Sequence, residues 1–249
     1  MKAYPCINVY KLAIISSICL VVGCSQKSNA DTVPVAVWTF EKNGDDTTGT
    51  IKGELVGNAK ISEGKLLLDG TNSYLKTSPI PFPLKEKTII VRCINKNTEQ
   101  KKVGVVAVTG LKGVPNDTIG YSVAEPKRWG PASEWAFRSA YIKGEEENAK
   151  NDEPVEIAAT YSSEGEIVFY KNGKAYGEKY NPDSPTQDYR PNRYMLLIGS
   201  GIDHRIQKAK GSFQGEIDEV IIYDKALKPD EIEKLYNKKH SATNPQQNP

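Results

Sequence analysis

Histidine and cysteine are scarce: the 249 residues include two His and four Cys. Two histidines, His204 and His240, do not build a zinc site at any usual ligand spacing, and they leave little for a Cys–His nucleophile. Cys6 and Cys19 fall inside an N-terminal leader and Cys24 ends it. Only Cys93 remains, so the mature chain is expected to form no internal disulfide. A chain of this size buries an adequate core without one. Cys93, in "TIIVRCIN", reads as a small buried strand residue. A surplus of charge is also lacking. The chain has 33 basic and 31 acidic side chains, and the leader removes Lys2 and Lys11 but no acid. The balanced mature charge argues against nucleic acid and against an anionic membrane surface. A Gly-x-Ser-x-Gly elbow, a phosphate loop, His-Glu-x-x-His and a dinucleotide fingerprint are all missing.

The leader is "MKAYPCINVYKLAIISSICLVVGC". A charged head, an apolar run from Leu12 to Val22 and a small residue before the break make a secretory signal peptide. The run is short for a membrane span. Val21-Val22-Gly23-Cys24 resembles a bacterial lipobox, with Val21 where Leu is usual. That resemblance implies a signal over residues 1–23, lipidation of Cys24 and a membrane anchor; the plainer alternative is ordinary secretion with cleavage nearby. Ser25 after the Cys permits outer-membrane placement. Residues 24–33 read as a flexible tether, 34–237 as one domain, and 238–249, polar and rich in Asn, Gln and Pro, as a disordered tail.

The domain is β-rich by pattern. About eleven short runs of β-branched and aromatic residues recur, among them "VAVWTF", "KTIIVRCIN", "VGVVAVTG", "GYSVA", "EWAFRSAYI" and "RYMLLIGSG", separated by Asn-Gly, Asp-Gly and Gly-Ser turns. Asn172-Gly173 marks a two-residue hairpin. One short helix is expected near the end. Pro229 suits its first position, Asp230 and Glu231 suit its first turn and Lys238 and Lys239 its last. Ile232, Leu235 and Tyr236 form its apolar face. Lys228 occupies the cap, where Ser or Asp would cap better. Tyr223 and Leu227 are expected beside it. The fold class is therefore all-β, an antiparallel β-sandwich or jelly roll with one C-terminal helix.

Four segments in order resemble laminin-G-like, concanavalin A-like jelly-roll domains of the bacterial, pentraxin-related branch. They are "LVGNAKISEGKLLLDGTNSYLKT", "VEIAATYSSEGEIVFYKNGKAYG", "RYMLLIGSG" and "FQGEIDEVIIYDKALKPDEIEKLY". In the second, Glu156-Ile157 replaces the Trp-His usual before the Ala. Residues 111–154 match weakly. The resemblance implies a structural calcium at one sheet edge, with Asp69 and Asp218 at the motif positions; "NGDD" (43–46) and "PND" (115–117) are further oxygen-rich turns. Calcium takes such oxygens, but the same Asp residues serve equally as Asx turns.

Glu216-Ile217-Asp218-Glu219 is the one catalytic prospect. Laminarinase-type glycoside hydrolases of this sandwich class carry Glu, Asp and Glu on one strand face. In a regular strand Val220 and Ile222 occupy the face where the second Glu is needed, so the machinery is incomplete. An irregularity at Asp218-Glu219 would instead let both Ile217 and Val220 reach the core.

Sugar binding is the leading reading. Aromatic rings flanked by polar groups serve as stacking platforms. Two stretches have that composition, with Tyr121, Arg128 and Trp129 in one and Tyr189, Arg190 and Arg193 in the other. Trp38 and Trp135 read as core, and "KGEEENAKNDE" as a solvated acidic loop. The expectation is a lipid-anchored envelope protein that binds a glycan, or an envelope or extracellular protein, without catalysis. A protein-adhesion module and an unrecognised glycan-active hydrolase or lyase stay open as alternatives.

Overall fold

The computed structural model describes residues 32–134, 138–203 and 208–242. The lipidation candidate Cys24, the leader, Trp135 and His204 lie outside them. In chain order the first eight strands are β1 (Ala36–Trp38), β2 (Gly53–Val56), β3 (Lys60–Ser62), β4 (Lys65–Asp69), β5 (Tyr74–Thr77), β6 (Lys87–Asn95), β7 (Val103–Gly110) and β8 (Asn116–Tyr121). Then come β9 (Trp129–Pro131), β10 (Pro154–Tyr161), β11 (Ile167–Lys171), β12 (Lys174–Ala175), β13 (Tyr194–Ile198), β14 (Ser200–Asp203), β15 (Lys208–Ser212) and β16 (Gln214–Tyr223). The helix α1 spans Pro229–Ala242.

Two antiparallel sheets face each other, as expected of a jelly-roll sandwich. One runs β12-β11-β10-β6-β16-β4-β3, with β1 also paired to β16; the other runs β2-β5-β13-β7-β8-β9. β14 and β15 pair separately as a two-stranded sheet. Alternation turns Ile89, Val91 and Cys93 of β6 inward, to meet Val106 and Val108 of β7 and Leu196 and Ile198 of β13. Ile90 points the other way, into a second apolar cluster with Ala158, Tyr170, Tyr223, Leu227 and Ile232. A strand buried on both faces explains why "TIIV" is continuously apolar. Cys93 is buried, and burial pushes its thiol pKa up, so it is an inert core residue.

β16 carries the irregularity that its sequence suggests. Its register against β6 shifts between Ile217, opposite Cys93, and Glu219, opposite Arg92. The extra residue is Asp218. The bulge lets Ile217, Val220 and Ile222 all reach the core. This corrects the regular-strand expectation that Val220 and Ile222 share the face of Glu216: that outer face continues through Glu219, Ile221 and Tyr223.

Asn172 and Gly173 both have positive φ, 51° and 77°, the signature of a two-residue hairpin turn. Lys228 has no capping side chain, but its backbone N–H donates to Glu231 Oε2 at 2.9 Å, the reciprocal half of a capping box. Ile232 is wholly buried on the sheet. The helix runs five residues past the expected boundary at 237. Lys238, Lys239 and His240 extend it rather than begin a disordered tail, because Lys239 reaches Glu219 at 3.1 Å and basic residues suit a helix C-terminus.

Two expectations for the middle of the chain change. The described residues of "EWAFRSAYI", 134 and 138–142, lie in no strand, and 138–153 hold no regular element. Instead Trp129–Pro131 pairs with β8 as an edge strand, a position that tolerates Pro131. "PND" is not an oxygen-rich turn either, because Asn116 and Asp117 lie inside β8.

Candidate functional site

The six expected ligand residues separate into two groups, and the three aromatics lie in the core. Tyr121, Trp129 and Tyr189 are 0%, 2% and 2% exposed. Trp129 packs edge-on to Tyr121 at 4.9 Å, with Phe213 beyond at 6.4 Å. Its indole N–H donates to Glu147. A buried indole needs such an acceptor, and Glu147, in the loop expected to be solvated, supplies it. Burial works against the Glu147 charge, but bonds from Lys171 and Trp129 outweigh it and hold the pKa low. Arg128 donates through Nε to Gly144 O at 2.9 Å and so fastens the same loop.

Tyr189 belongs to the opposite end of the sandwich. Its hydroxyl donates to Asp117 Oδ2 at 3.0 Å and to Val108 O at 3.2 Å. Arg190 and Arg193 are exposed there, in a turn whose backbone closes from Arg193 N to Arg190 O. None of these rings is available for stacking, which corrects the aromatic-platform expectation.

Asp69 and Asp218 do not come together. Asp69 pairs across the ladder with Gln214, and Asp218 lies four residues further along β16, roughly 13 Å away at strand rise. Asp69 is engaged as a turn residue. Oδ1 accepts from Ser73 Oγ (2.5 Å) and Thr71 N (2.8 Å), and Oδ2 accepts from Asn58 Nδ2 (2.8 Å). The Ser73 hydroxyl, the Thr71 amide and Asn58 together hold its pKa low. In "NGDD", Asp45 accepts from Gly53 N and Asp46 from Ile51 N. These carboxylates spend their lone pairs on protein donors, so they do not fit a shared calcium. Among the described residues no three His, Cys, Asp or Glu side chains group as metal ligands.

The open site is a cleft at one end of the sandwich, with a volume of about 410 Å³. Asn72 from the β4–β5 turn, Asn97, Gln100 and Lys101 from the β6–β7 loop, Ser212 at the end of β15 and Gln214 at the start of β16 line it. The carboxamides brace one another. Asn97 Nδ2 donates to Gln214 Oε1 (2.9 Å), Gln214 N to Gln100 Oε1 (2.9 Å), and Gln100 Nε2 to Asn95 Oδ1 (2.7 Å). Bracing leaves Gln214 Nε2 without a partner among the described residues, and the Asn72 amide, the Lys101 ammonium and the Ser212 hydroxyl are equally free there. The lining thus offers donors and acceptors of mixed type, held in place before any ligand arrives.

A second hollow of about 450 Å³ adjoins it, lined by Asn58, Lys60, Leu67, Asp69, Lys96 and Glu216. Glu216 Oε2 accepts from Lys65 and Oε1 from Lys96, both at 3.0 Å. Partial burial opposes ionisation, but these two bonds prevail and hold its pKa below the ordinary value. On the same outer face, Arg92 bonds both Glu156 and Glu219. Glu156, the departure from the family pattern, is pushed up by burial against the pull of Arg92.

None of the polar side chains of the first cleft stood out in the sequence. Nothing local in "NKNTEQKK" ties it to Asn72 or Gln214.

The chain belongs to the concanavalin A-like lectin/glucanases superfamily: the Laminin_G_3 family model matches residues 69–233. No curated protein matches its sequence significantly. Among solved structures, a Trypanosoma rangeli sialidase in complex with sialic acid aligns at a TM-score of 0.59 and 14% identity, over 82% of this chain and 33% of that one. The chain therefore spans about a third of that sialidase. Domain 4 of AbnA, a GH43 extracellular arabinanase from Geobacillus stearothermophilus in complex with arabinotriose, aligns at 0.56 and 16% identity, over 82% and 98%. A heptameric SAP-like pentraxin from Limulus polyphemus aligns at 0.54 and 15% identity, over 69% and 81%. At these identities the likeness is one of fold.

Proposed function

We propose that this is an exported envelope protein, anchored through lipid on Cys24, whose jelly roll binds carbohydrate at the carboxamide cleft without cleaving it. The braced amides of Asn97, Gln100 and Gln214, with free groups on Asn72, Lys101 and Ser212, carry the reading. Sugar hydroxyls both donate and accept, and carboxamides match both roles in fixed positions. The sugars named with the sialidase and with the arabinanase domain are consistent with this use of the fold, although sites are grafted on folds and do not follow from them.

The carboxylates support binding over hydrolysis. Asp69 and Glu216 are diagonal neighbours across β4 and β16, a spacing within reach of a glycosidase pair. Such a pair needs one carboxyl protonated near neutral pH. Both here are held below their ordinary pKa by donors already in place.

The test is a glycan array and titration with the full chain. Carbohydrate binding that falls at least about tenfold in Gln214→Ala, with no reducing sugar released, is the expected result. Product released by wild type and lost in Glu216→Gln overturns the non-catalytic part. Binding to protein and to no glycan overturns the ligand class. Fatty-acid labelling that persists in Cys24→Ala overturns the anchor.

A further inference from the structure

The 410 Å³ and 450 Å³ hollows follow one another along the same strands. Gln214 lines the first and Glu216 the second. Residues two apart on a strand point to one face, so the hollows open side by side. The β4 partner across from Gln214 is Asp69 of the second hollow, next to Gly70 of the first. Asn97 and Lys96 are split the same way between them. No residue lines both, but neighbours in the chain meet at their border, Asp69 with Gly70, Lys96 with Asn97 and Gln214 with Gly215, and each hollow is of a size that holds a small ligand.

Charge along this path is uneven. Its two carboxylates are engaged: Glu216 by Lys65 and Lys96, Asp69 by Asn58, Thr71 and Ser73. Lys101 in the first hollow and Lys60 in the second are exposed and have no ion-pair partner among the described residues. Each ammonium offers three donors and a full charge with no acceptor already in place.

We propose that the two hollows are one groove for a polyanionic glycan chain, with Lys101 and Lys60 as its anion contacts and the amides between them holding the sugar hydroxyls. This rests on the glycan-binding reading of the same cleft. The ligand class is a chain bearing carboxylates or sulfates at intervals, bound along its length rather than by one end.

The test is titration of the full chain with oligomers of polygalacturonate, sulfated dextran and unmodified dextran, at low and high salt. Lys101→Gln, Lys60→Gln, Gln214→Ala and, as a control in the remote β7–β8 turn, Lys112→Gln are compared. Expected are binding of an anionic chain that weakens with salt, a loss of about threefold to fivefold for each groove lysine, the scale of one exposed ion pair, and no change for Lys112→Gln. Neutral dextran bound as tightly, with neither groove lysine mattering but Gln214→Ala still damaging, overturns the anionic ligand and leaves the glycan cleft standing. Anionic chains bound by short and long oligomers alike, with Lys60→Gln silent, overturn the single groove. No binding of any chain, or binding that Gln214→Ala leaves unchanged, overturns the glycan reading itself.

Discussion

Lys87 Nζ lies 3.0 Å from Asp117 Oδ2, and neither side chain has any exposed surface. The ammonium also donates to Lys85 O at 2.8 Å and sits between the rings of Tyr161 and Tyr189, 4.8 and 5.0 Å from their centroids. Asp117 Oδ1 accepts from Arg138 Nη1 at 2.7 Å. One buried carboxylate thus serves two buried cations, joining β6, β8 and the loop that holds Arg138. Burial opposes the Asp117 charge, but Lys87 and Arg138 hold it ionised.

This arrangement predicts an asymmetry. Asp117→Asn leaves two buried cations uncompensated and costs about 3–5 kcal/mol, the scale of a broken buried ion pair. Lys87→Met leaves Arg138 and Asp117 paired and fills the same space. It costs about 1–2 kcal/mol, the ordinary range for a core substitution. Urea unfolding of the two variants checks the order; equal losses would mean that Arg138 contributes nothing to the cluster.

A second prediction concerns acid. The Glu147 pKa is held below its ordinary value against burial by Lys171 and the Trp129 indole. A carboxylate depressed in the folded state contributes stability that is present above its unfolded pKa, about 4.3. That stability is lost as pH falls through the lower folded value. Wild type and Glu147→Gln should therefore differ most in melting temperature near neutral pH, and the difference should begin to shrink as pH falls below about 4.3. A difference that stays constant through that window would assign the effect to packing of the amide.

Metal dependence follows from Asp69. Its oxygens accept from Asn58, Thr71 and Ser73, so the β4–β5 turn is closed by protein donors. A chelator should leave the melting temperature where it is, whereas Asp69→Ala should lower it by about 2–4 °C. Added calcium that raises the melting temperature of wild type and not of Asp69→Ala would contradict this account.

The sheets and the helix were legible because their signals are local. Asn172-Gly173 states its own turn, Pro229 and Glu231 state a helix start, and Ile217 with Val220 demands a bulge within four residues. The site was not legible because its determinants are distant. Trp129 looked like a loop platform since nothing beside it is apolar; the acceptor that lets it bury is Glu147, eighteen residues on. The cleft draws Asn72, Asn97 and Gln214 from three separate segments. Each is an unremarked polar residue until the ladders of β16 with β4 and with β6 bring them together.

The last prediction separates backbone strain from packing under α1. Gly173 has φ +77°, and a Cβ there would lie 2.8 Å from Tyr236 Cβ of the helix. Gly49 has a similar φ, +71°, with nothing within 4 Å of its added Cβ. A left-handed conformation costs an L-residue about 1–2 kcal/mol in either place. Gly49→Ala should show that cost alone. Gly173→Ala should add the displacement of Tyr236, and with it the contacts of α1 on β11 and β16. Limited proteolysis should then cut first within α1 in Gly173→Ala and leave α1 protected in Gly49→Ala. Equal destabilisation with α1 protected in both would show that the helix does not depend on the hairpin turn beneath it.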